Sequence, residues 1–384
     1  MPITDVYKKQ LAQAHLEAGH TTDVVSADPP GSVSTEDFPG QLYALGPPLT
    51  HYCYSPRVLP WLRVHAADYD AVIVNGLWQY TGFAVWRALH ASDTPYFVFP
   101  HGMLDPWFKR TYPLKHYKKW LFWPWSDYRL LRDAQGAFFT CEEERLLARE
   151  TFPLYRCSEL VVHLGIADPG NHDDAQRAAF LRRYPDLSGK RLLLFMGRLQ
   201  EKKGCDMLVH AFSAIAAARP ELHLVMAGPD QSGWQQDLVA LSARLGIADR
   251  ITWTGMLKDD LKWGAYRAAE ALVLPSHQEN FGIVVAEALA CGIPALISNK
   301  VNIWREIEAD QAGLVENDTA AGTTALLRRW LSLEPEAAAR LTANARRCFE
   351  RRFEISRAAS NVASAIEHHL QTNKGERSLW RMSA

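Results

Sequence analysis

The fold is decided by residues 271–298, which read ALVLPSHQENFGIVVAEALACGIPALIS. A short apolar run (Ala271–Pro275) leads into a polar loop, an apolar segment of helical length and a second short apolar run (Ala295–Ser298). Short continuous apolar runs on either side of a helix are typical of parallel strands that are covered on both faces. The stretch therefore predicts a strand, a helix and a second strand of an α/β domain.

The same pattern continues on both sides of this stretch. In chain order it predicts a helix over Thr4–Ala18, a strand over Thr22–Ala27, a long loop over Pro29–Pro48, strands over Ala71–Val74 and Tyr96–Phe99, a break over Asp168–His172, and strands over Leu192–Met196, Leu222–Ala227 and Ile251–Thr254. We expect an α/β protein of two Rossmann-like, doubly wound parallel-sheet domains, 1–167 and 168–354. Residues 355–384 are expected to form a final helix and a polar tail over Thr372–Ala384.

Composition narrows the class of protein. The chain has 384 residues, with 42 Lys and Arg against 43 Asp and Glu, and this balance argues against a nucleic-acid partner. The six cysteines are scattered, which predicts neither a disulfide framework nor a zinc module and favours a reducing compartment. No signal-peptide pattern and no membrane-spanning apolar run occur in the sequence, so we expect a cytoplasmic protein.

The predicted strand Leu192–Met196 runs directly into a basic turn, GRLQEKKG, over Gly197–Gly204. Glycine at each end allows a close backbone approach to a ligand, while Arg198 and Lys203 place two cations beside the start of a helix. These features suit a diphosphate. The turn is not a Walker A loop, because Cys205 follows the second glycine, and an ordinary solvated, charged turn remains the alternative.

Two glutamates follow the strand that ends at Pro275. Glu279 lies in the loop and Glu287 lies in the helix predicted to start near Phe281. Backbone amides around Phe281, Gly282 and Ile283 would offer donors to anionic oxygens, while carboxylates accept hydrogen bonds from sugar or ribose hydroxyls. Two ordinary helix-associated surface glutamates are the alternative interpretation.

These motifs resemble those of a known family. The region Ser276–Pro294 is similar to the E-x7-E region of retaining glycosyltransferase family 4, and the basic turn resembles that family's other donor-site element. Supporting similarities, looser in the first half, are found at Gly76-Leu77-Trp78, Pro100–Leu104, Ala227-Gly228 and Thr254-Gly255. The resemblance implies a GT-B fold, with two domains facing a cleft and a last helix that crosses back to the first domain.

The resemblance also implies roles for individual residues. Arg198 and Lys203 would neutralise the diphosphate, Glu287 would hold the ribose, and Glu279 would bind the transferred sugar. His101 would contact the donor sugar near the acceptor hydroxyl, although a histidine at the end of a strand is often only a loop residue. No metal or other cofactor is expected. Asp68-x-Asp70 resembles the metal-binding D-x-D motif of GT-A transferases, but it precedes its strand instead of ending one.

Basic and aromatic residues alternate through residues 107–132. Such a segment can dock at an anionic membrane surface, although aromatic core residues beside a solvated cationic face would give the same pattern. We therefore expect an acceptor that is a glycan or is linked to a lipid, and possible contact with the inner leaflet of a membrane.

The sequence departs from the family pattern in the first domain. The family's opening strand and Gly-Gly loop are expected to be missing, and His163-Leu164-Gly165 stands where the family often has Pro-Asn-Gly. The leading interpretation is a retaining hexosyltransferase that uses a UDP- or GDP-sugar in polysaccharide or glycolipid synthesis. A sugar-nucleotide epimerase and an inactive binding or scaffold subunit are the alternatives.

Overall fold

The computed structural model describes residues 3–32, 38–170 and 173–382. It forms two compact units: unit 1 comprises Met1–Gly165 and Ile355–Ala384, and unit 2 comprises Ile166–Glu354. The predicted loop over Pro29–Pro48, the predicted break over Asp168–His172 and the end of the predicted tail fall partly outside the described residues.

Unit 1 contains two parallel sheets. Its elements are α1 (Ile3–Glu17), β1 (Val24–Ser26), β2 (Leu42–Ala44), α2 (Val58–His65), β3 (Val72–Asn75), α3 (Tyr80–Leu89), β4 (Tyr96–Phe99), α4 (Trp107–Thr111), α5 (Pro113–Phe122), α6 (Asp127–Asp133), β5 (Gly136–Phe139), α7 (Glu142–Ala148) and β6 (Glu159–Val161), to which α16 (Ile355–Met382) is added. Strands β1 and β2 pair with each other, and β3 to β6 form a four-stranded sheet in sequence order.

Aromatic packing joins the last helix to the larger sheet of unit 1. The rings of Phe97 and Phe138, on β4 and β5, stack with their centroids 5.0 Å apart and are fully buried. Val362 of α16 belongs to the same buried cluster. Burying an apolar side chain contributes roughly 1.5–3 kcal/mol to the stability of the folded state. This cluster therefore stabilises the packing of the helix against the sheet.

Unit 2 is a single six-stranded parallel sheet with helices in the connections. Its elements are α8 (Asp173–Arg183), β7 (Arg191–Met196), α9 (Cys205–Ala216), β8 (Leu222–Ala227), α10 (Gln235–Arg244), β9 (Ile251–Gly255), α11 (Asp259–Ala268), β10 (Ala271–Leu274), α12 (Ile283–Ala290), β11 (Ala295–Ser298), α13 (Trp304–Ala309), β12 (Gly313–Glu316), α14 (Ala320–Leu331) and α15 (Pro335–Cys348). The strand order is β12-β11-β10-β7-β8-β9. The order reverses between β7 and β10, which is the doubly wound arrangement.

The predicted strands are confirmed with small shifts at their ends, but two other predictions were wrong. The loop predicted over Pro29–Pro48 contains strand β2, and helix α16 continues through residues 372–382 where a polar tail was expected. Polar residues such as Lys, Glu and Arg are good helix formers, so polarity alone does not end a helix. No helix in the described part of the chain has both the length and the apolar character needed to cross a bilayer.

Gly204 fixes how the basic turn meets the neighbouring strand. It adopts φ +65°, and a Cβ atom there would lie 2.4 Å from the carbonyl oxygen of Pro275. Gly246 has a similar φ of +68° but no heavy atom within 4 Å of its would-be Cβ. Only Gly204 therefore combines a left-handed backbone with a close approach to another backbone segment in this pair.

We predict that Gly204→Ala destabilises unit 2 much more than the matched control Gly246→Ala. The control should cost about 1–2 kcal/mol for its left-handed backbone, and Gly204→Ala should cost about 1–3 kcal/mol more for overpacking. Chemical denaturation followed by circular dichroism measures the difference. Equal midpoints for the two variants would show that the contact with Pro275 does not constrain the turn.

Candidate functional site

The predicted donor-site motifs meet at the centre of the unit 2 sheet. Strands β7 and β10 are neighbours, and the chain leaves them through the basic turn and through the loop that carries Glu279. Connections from the two strands lead away in opposite directions where the strand order reverses. This leaves an open crevice at their carboxyl ends, and the charged residues of both loops lie beside it.

Backbone contacts hold the two loops together. The amide of His277 donates to the carbonyl oxygen of Lys202 (2.8 Å). In the second loop, the Glu279 amide donates to the Lys300 carbonyl (2.9 Å), and the Asn302 amide donates to the Glu279 carbonyl (3.0 Å). The backbone that carries Glu279 is therefore fastened on one side to the basic turn and on the other to the chain that follows β11.

Lys203 and Glu279, predicted separately from two motifs, form a direct ion pair. Their side chains are only 11% and 21% exposed, so solvent screens the pair less than it would a surface pair. Removing one partner of a largely buried ion pair leaves an uncompensated charge. The pair fixes the ammonium and the carboxylate at one point of the crevice.

Arg198 contrasts with Lys203. It follows Gly197 at the end of β7, its side chain is exposed, and no described residue forms an ion pair with it. An exposed guanidinium with five donors is available to an anionic ligand. The basic turn therefore supplies one fixed and one accessible cation.

Glu287 is held by two side chains of α11. Its Oε1 lies 2.9 Å from the Lys262 ammonium, and its Oε2 accepts a hydrogen bond from the Tyr266 hydroxyl (2.8 Å). Tyr266 is fully buried, and burial, reinforced by the nearby Glu287 carboxylate, raises the pKa of its phenol well above the ordinary value. The phenol therefore stays protonated, and its hydroxyl orients the Glu287 carboxylate by donating a hydrogen bond to it.

The helix that carries Glu287 begins two residues later than predicted. Gly282, at φ +71° and ψ +63°, precedes α12, and no side chain of the described residues caps the helix. Phe281 packs edge-on against Phe353 and is buried, so its contribution to a ligand site would come from its backbone. The first amides of α12, including that of Ile283, remain available for an anion.

His101 belongs to unit 1, where it follows β4. Its Nε2 lies 3.0 Å from Asn75 Oδ1, and its ring stacks on Phe99 with the centroids 5.1 Å apart. Its φ of +51° is in the left-handed region, which is costly for a residue with a side chain. The next residue, Gly102, also has a positive φ (+74°).

A buried carboxylate holds this turn. Glu144 of α7 accepts a hydrogen bond from the Gly102 amide through Oε1. Its Oε2 accepts from the Thr140 amide (2.7 Å) and from the Thr140 hydroxyl (2.5 Å). These hydrogen bonds compensate the buried carboxylate, which in return fixes the backbone next to His101.

Sequence reasoning missed Lys262, Tyr266 and Glu144. The first two lie on α11, more than 20 positions before Glu287, and no motif spacing connects them. Glu144 lies five residues after β5, in a run of three glutamates that forms the first turn of α7. Acidic residues are common in the first turn of a helix because they interact favourably with the helix dipole, so this run does not stand out in the sequence. Within the described residues, no group of three or more His, Cys, Asp or Glu side chains is arranged to hold a metal ion.

We predict that Glu144→Gln loosens the His101 turn. The amide NH₂ of glutamine would face an N–H donor, leaving buried groups unpaired at a cost of about 1–3 kcal/mol. Amide hydrogen exchange at Gly102 should accelerate, while the exposed control Glu150→Gln on the same part of the chain should leave it unchanged. Unaltered protection of Gly102 in Glu144→Gln would show that the carboxylate does not hold the turn.

Two family models match the chain. Residues 4–165 match the model described as glycosyl transferase 4-like domain, and residues 178–348 match the model described as glycosyl transferases group 1. A D-inositol 3-phosphate glycosyltransferase from Rhodococcus jostii is 33% identical over 223 residues, which cover 54% of this chain and 48% of the relative. The match thus spans about half the length of that relative.

Solved structures share the fold. A glycosyltransferase from Rickettsia africae has a TM-score of 0.74 at 14% identity and covers 96% of each chain. HepE from Anabaena, solved with UDP and glucose, has a TM-score of 0.72 at 15% identity, covering 95% of this chain and 96% of HepE. These matches, the two parallel-sheet units and the family models show that the chain belongs to the family-4 type of glycosyltransferases and has a GT-B fold.

Proposed function

We propose that the protein transfers a hexosyl group from a UDP- or GDP-sugar to a glycan or lipid-linked acceptor with retention of anomeric configuration. The observation that supports this proposal is the Lys203–Glu279 ion pair at the point where the unit 2 sheet reverses its strand order. Arg198 lies on the same basic turn as Lys203, and Glu287 lies on the helix that follows the Glu279 loop. Cations for a diphosphate and carboxylates for hydroxyl groups are the two chemistries that a nucleotide-sugar requires.

The main chemical demand is stabilisation of the leaving group. As the bond between the anomeric carbon and the diphosphate oxygen breaks, negative charge accumulates on the diphosphate and positive charge on the sugar ring. In this proposal Arg198, Lys203 and the first amides of α12 oppose the charge on the diphosphate. These groups supply the counter-charge, so the proposal invokes no metal.

The carboxylates would bind the donor's hydroxyl groups. Glu287 has two oxygens with about four acceptor positions in all, and its contacts with Lys262 and Tyr266 use two of them. The remaining positions suit the paired hydroxyls of a ribose. Glu279 would bind the transferred sugar, while its partner Lys203 turns to the incoming phosphate.

Retention places a geometric requirement on the acceptor. Its hydroxyl must attack the face from which the diphosphate departs, so that the new bond replaces the old one on the same side. The hydroxyl proton then passes to the departing phosphate oxygen. His101 is proposed to contact the sugar near this hydroxyl, as the family resemblance implies.

We predict that the full chain releases nucleoside diphosphate from at least one of UDP-glucose, UDP-galactose, GDP-mannose and GDP-glucose. Glu279→Gln should lower kcat by about 10- to 150-fold, because a hydrogen bond to a charged group contributes about 1.5–3 kcal/mol. Glu308→Gln, an exposed glutamate on α13, is the matched control and should retain full activity.

The alternatives give different results in the same assay. Tight nucleotide binding without release from any donor would contradict the transferase proposal and support a binding subunit. Conversion of one sugar-nucleotide into its epimer, detected by NMR without an acceptor, would support an epimerase instead.

We propose that the acceptor is presented at a membrane surface. The supporting feature is the apolar patch formed by exposed side chains of α5 and of the residues on either side of it, which are Tyr112, Leu114, Tyr117, Trp120, Leu121, Phe122 and Trp125. Leu114 is 82% exposed and Phe122 is 68% exposed. Trp123 is fully buried, so only part of the aromatic segment belongs to the core.

Charge favours an anionic surface as the occupant of this apolar patch. Lys109, Arg110, Lys115 and Lys118 are exposed beside it, and residues 107–126 contain no acidic side chain. Aromatic rings at headgroup depth, flanked by cations, match the chemistry of an anionic leaflet. A membrane-bound acceptor would then be concentrated near unit 1.

We predict that the protein binds vesicles containing phosphatidylglycerol and that binding weakens as NaCl is raised. Leu114→Ser with Trp125→Ser should weaken it by at least about tenfold, since each buried side chain contributes roughly 1.5–3 kcal/mol. The control, Val239→Ser with Met256→Ser, changes exposed apolar residues of unit 2 and should bind normally. Absence of binding at every salt concentration would rule out the proposed membrane contact.

A further inference from the structure

Helix α11 presents two donors to the Glu287 carboxylate. Lys262 and Tyr266 are four residues apart, so they lie one turn after the other on the same face of the helix. The Lys262 ammonium lies 2.9 Å from Oε1 of Glu287, and the Tyr266 hydroxyl donates to Oε2 (2.8 Å). Each oxygen of the carboxylate therefore has its own donor, which fixes the plane of the carboxylate.

The opposite face of α11 packs closely against α8. Gly264 comes two residues after Lys262 and two before Tyr266, and this spacing places it on the other side of the helix. A Cβ atom on Gly264 would overlap the carbonyl oxygen of Gln176 on α8. The side-chain amide of Gln176 also donates to Asp260 of α11 (2.9 Å). Helix α11 is thus held against α8, and its two donors have a fixed place beside Glu287.

The contacts with Glu287 are largely buried. Tyr266 is fully buried, and the side chains of Lys262 and Glu287 are 26% and 14% exposed. The Lys262 ammonium also lies 4.0 Å from the centre of the Trp263 ring, in a cation–π contact that holds it in place. Solvent screens charges at this depth less than it screens surface charges. The carboxylate is therefore oriented before any ligand arrives.

The arrangement leaves acceptor positions on both oxygens of Glu287. An ionised carboxylate has about four acceptor positions, and Lys262 and Tyr266 use one on each oxygen. The positions that remain are also divided between the two oxygens, which suits two hydroxyls on adjacent carbon atoms. The 2′ and 3′ hydroxyls of a ribose are such a pair, whereas a 2′-deoxyribose has only the 3′ hydroxyl.

A fixed carboxylate discriminates between these two sugars more strongly than a mobile one. When the 2′ hydroxyl is missing, a mobile carboxylate can turn toward the remaining hydroxyl or toward water. A carboxylate held by Lys262 and Tyr266 instead keeps an acceptor position without a partner in a largely buried place. Sites built to bind a hydroxyl reject analogues that lack it for this reason.

We propose that Lys262 and Tyr266 are positioning residues that make the site selective for ribonucleotides, because they hold Glu287 where it can bind the 2′ and 3′ hydroxyls together. This selectivity rests on the proposed function and narrows its donor class. The donor is a sugar carried by a ribonucleoside diphosphate, and sugars carried by 2′-deoxyribonucleoside diphosphates bind more weakly. Lys262 and Tyr266 act through Glu287.

Isothermal titration of the full chain measures the selectivity. UDP is compared with 2′-deoxy-UDP, GDP is compared with 2′-deoxy-GDP, and the base that binds is used for the variants. We expect the ribonucleotide to bind at least about tenfold more tightly than its deoxy counterpart, because one hydrogen bond to a charged acceptor is lost. In Tyr266→Phe and in Lys262→Met this ratio should fall at least about threefold, since the carboxylate loses one of the donors that fix it.

The ratio of affinities separates positioning from a merely structural role. A variant that only destabilises unit 2, or that only leaves Glu287 to repel the diphosphate, weakens both nucleotides by the same factor. Lys262→Arg keeps a charged donor and should retain more of the discrimination than Lys262→Met. Lys258→Met is the matched control, because it removes an equal charge from an exposed residue one turn earlier, at the start of α11. It should leave the ratio unchanged.

The outcomes for the wild-type chain and the variants separate this proposal from the proposed function. Equal affinities of the wild-type chain for the two members of a pair would overturn the proposed selectivity and leave the transferase proposal in place. An undiminished ratio in either Tyr266→Phe or Lys262→Met, or an equal loss in Lys258→Met, would do the same. If the wild-type chain binds none of the four nucleotides, the proposed function fails and the selectivity fails with it.

Discussion

The reversal of strand order between β7 and β10 is the constraint on which the rest of unit 2 depends. It sends two neighbouring connections apart and leaves a crevice at the ends of the strands. Gly204 lets the basic turn lie against the backbone of Pro275, and this close approach brings Lys203 to Glu279. A largely buried ion pair contributes little net stability but is costly to break on one side. In the proposed function, the pair holds one cation for the phosphate of the donor and one carboxylate for its hydroxyls.

Much of unit 2 could be predicted from sequence because its signals are local. Each of its predicted strands is a short apolar run, and each loop that carries a predicted site residue follows its strand directly. The strand Gly313–Glu316 was not predicted, because it has four residues, starts with glycine and ends with a charge. The contacts of Glu287 were not predictable either. Lys262 and Tyr266 lie on α11, which precedes β10 in the chain, whereas Glu287 lies on the helix after β10.

Several features of unit 1 could not be predicted from local sequence patterns. The sequence predicts a loop where strand β2 lies. The alternation of basic and aromatic residues over 107–132 fits both a core segment and a membrane-facing segment. Burial separates its members, since Trp123 packs inside while Phe122 and Trp125 are exposed. The two residues with side chains and positive φ after β3 and β4, Trp78 and His101, depend on carboxylates that come from later helices. Such long-range pairs leave no periodic trace in the sequence.

We propose that the crevice of unit 2 binds a nucleoside diphosphate through its cations. Isothermal titration of the full chain with UDP and with GDP tests it most directly. We expect one site per chain for at least one of the two nucleotides, with an affinity that falls as salt is raised and falls at least about tenfold in Lys203→Gln. Absence of binding to both nucleotides, or an unchanged affinity in Lys203→Gln, would contradict it.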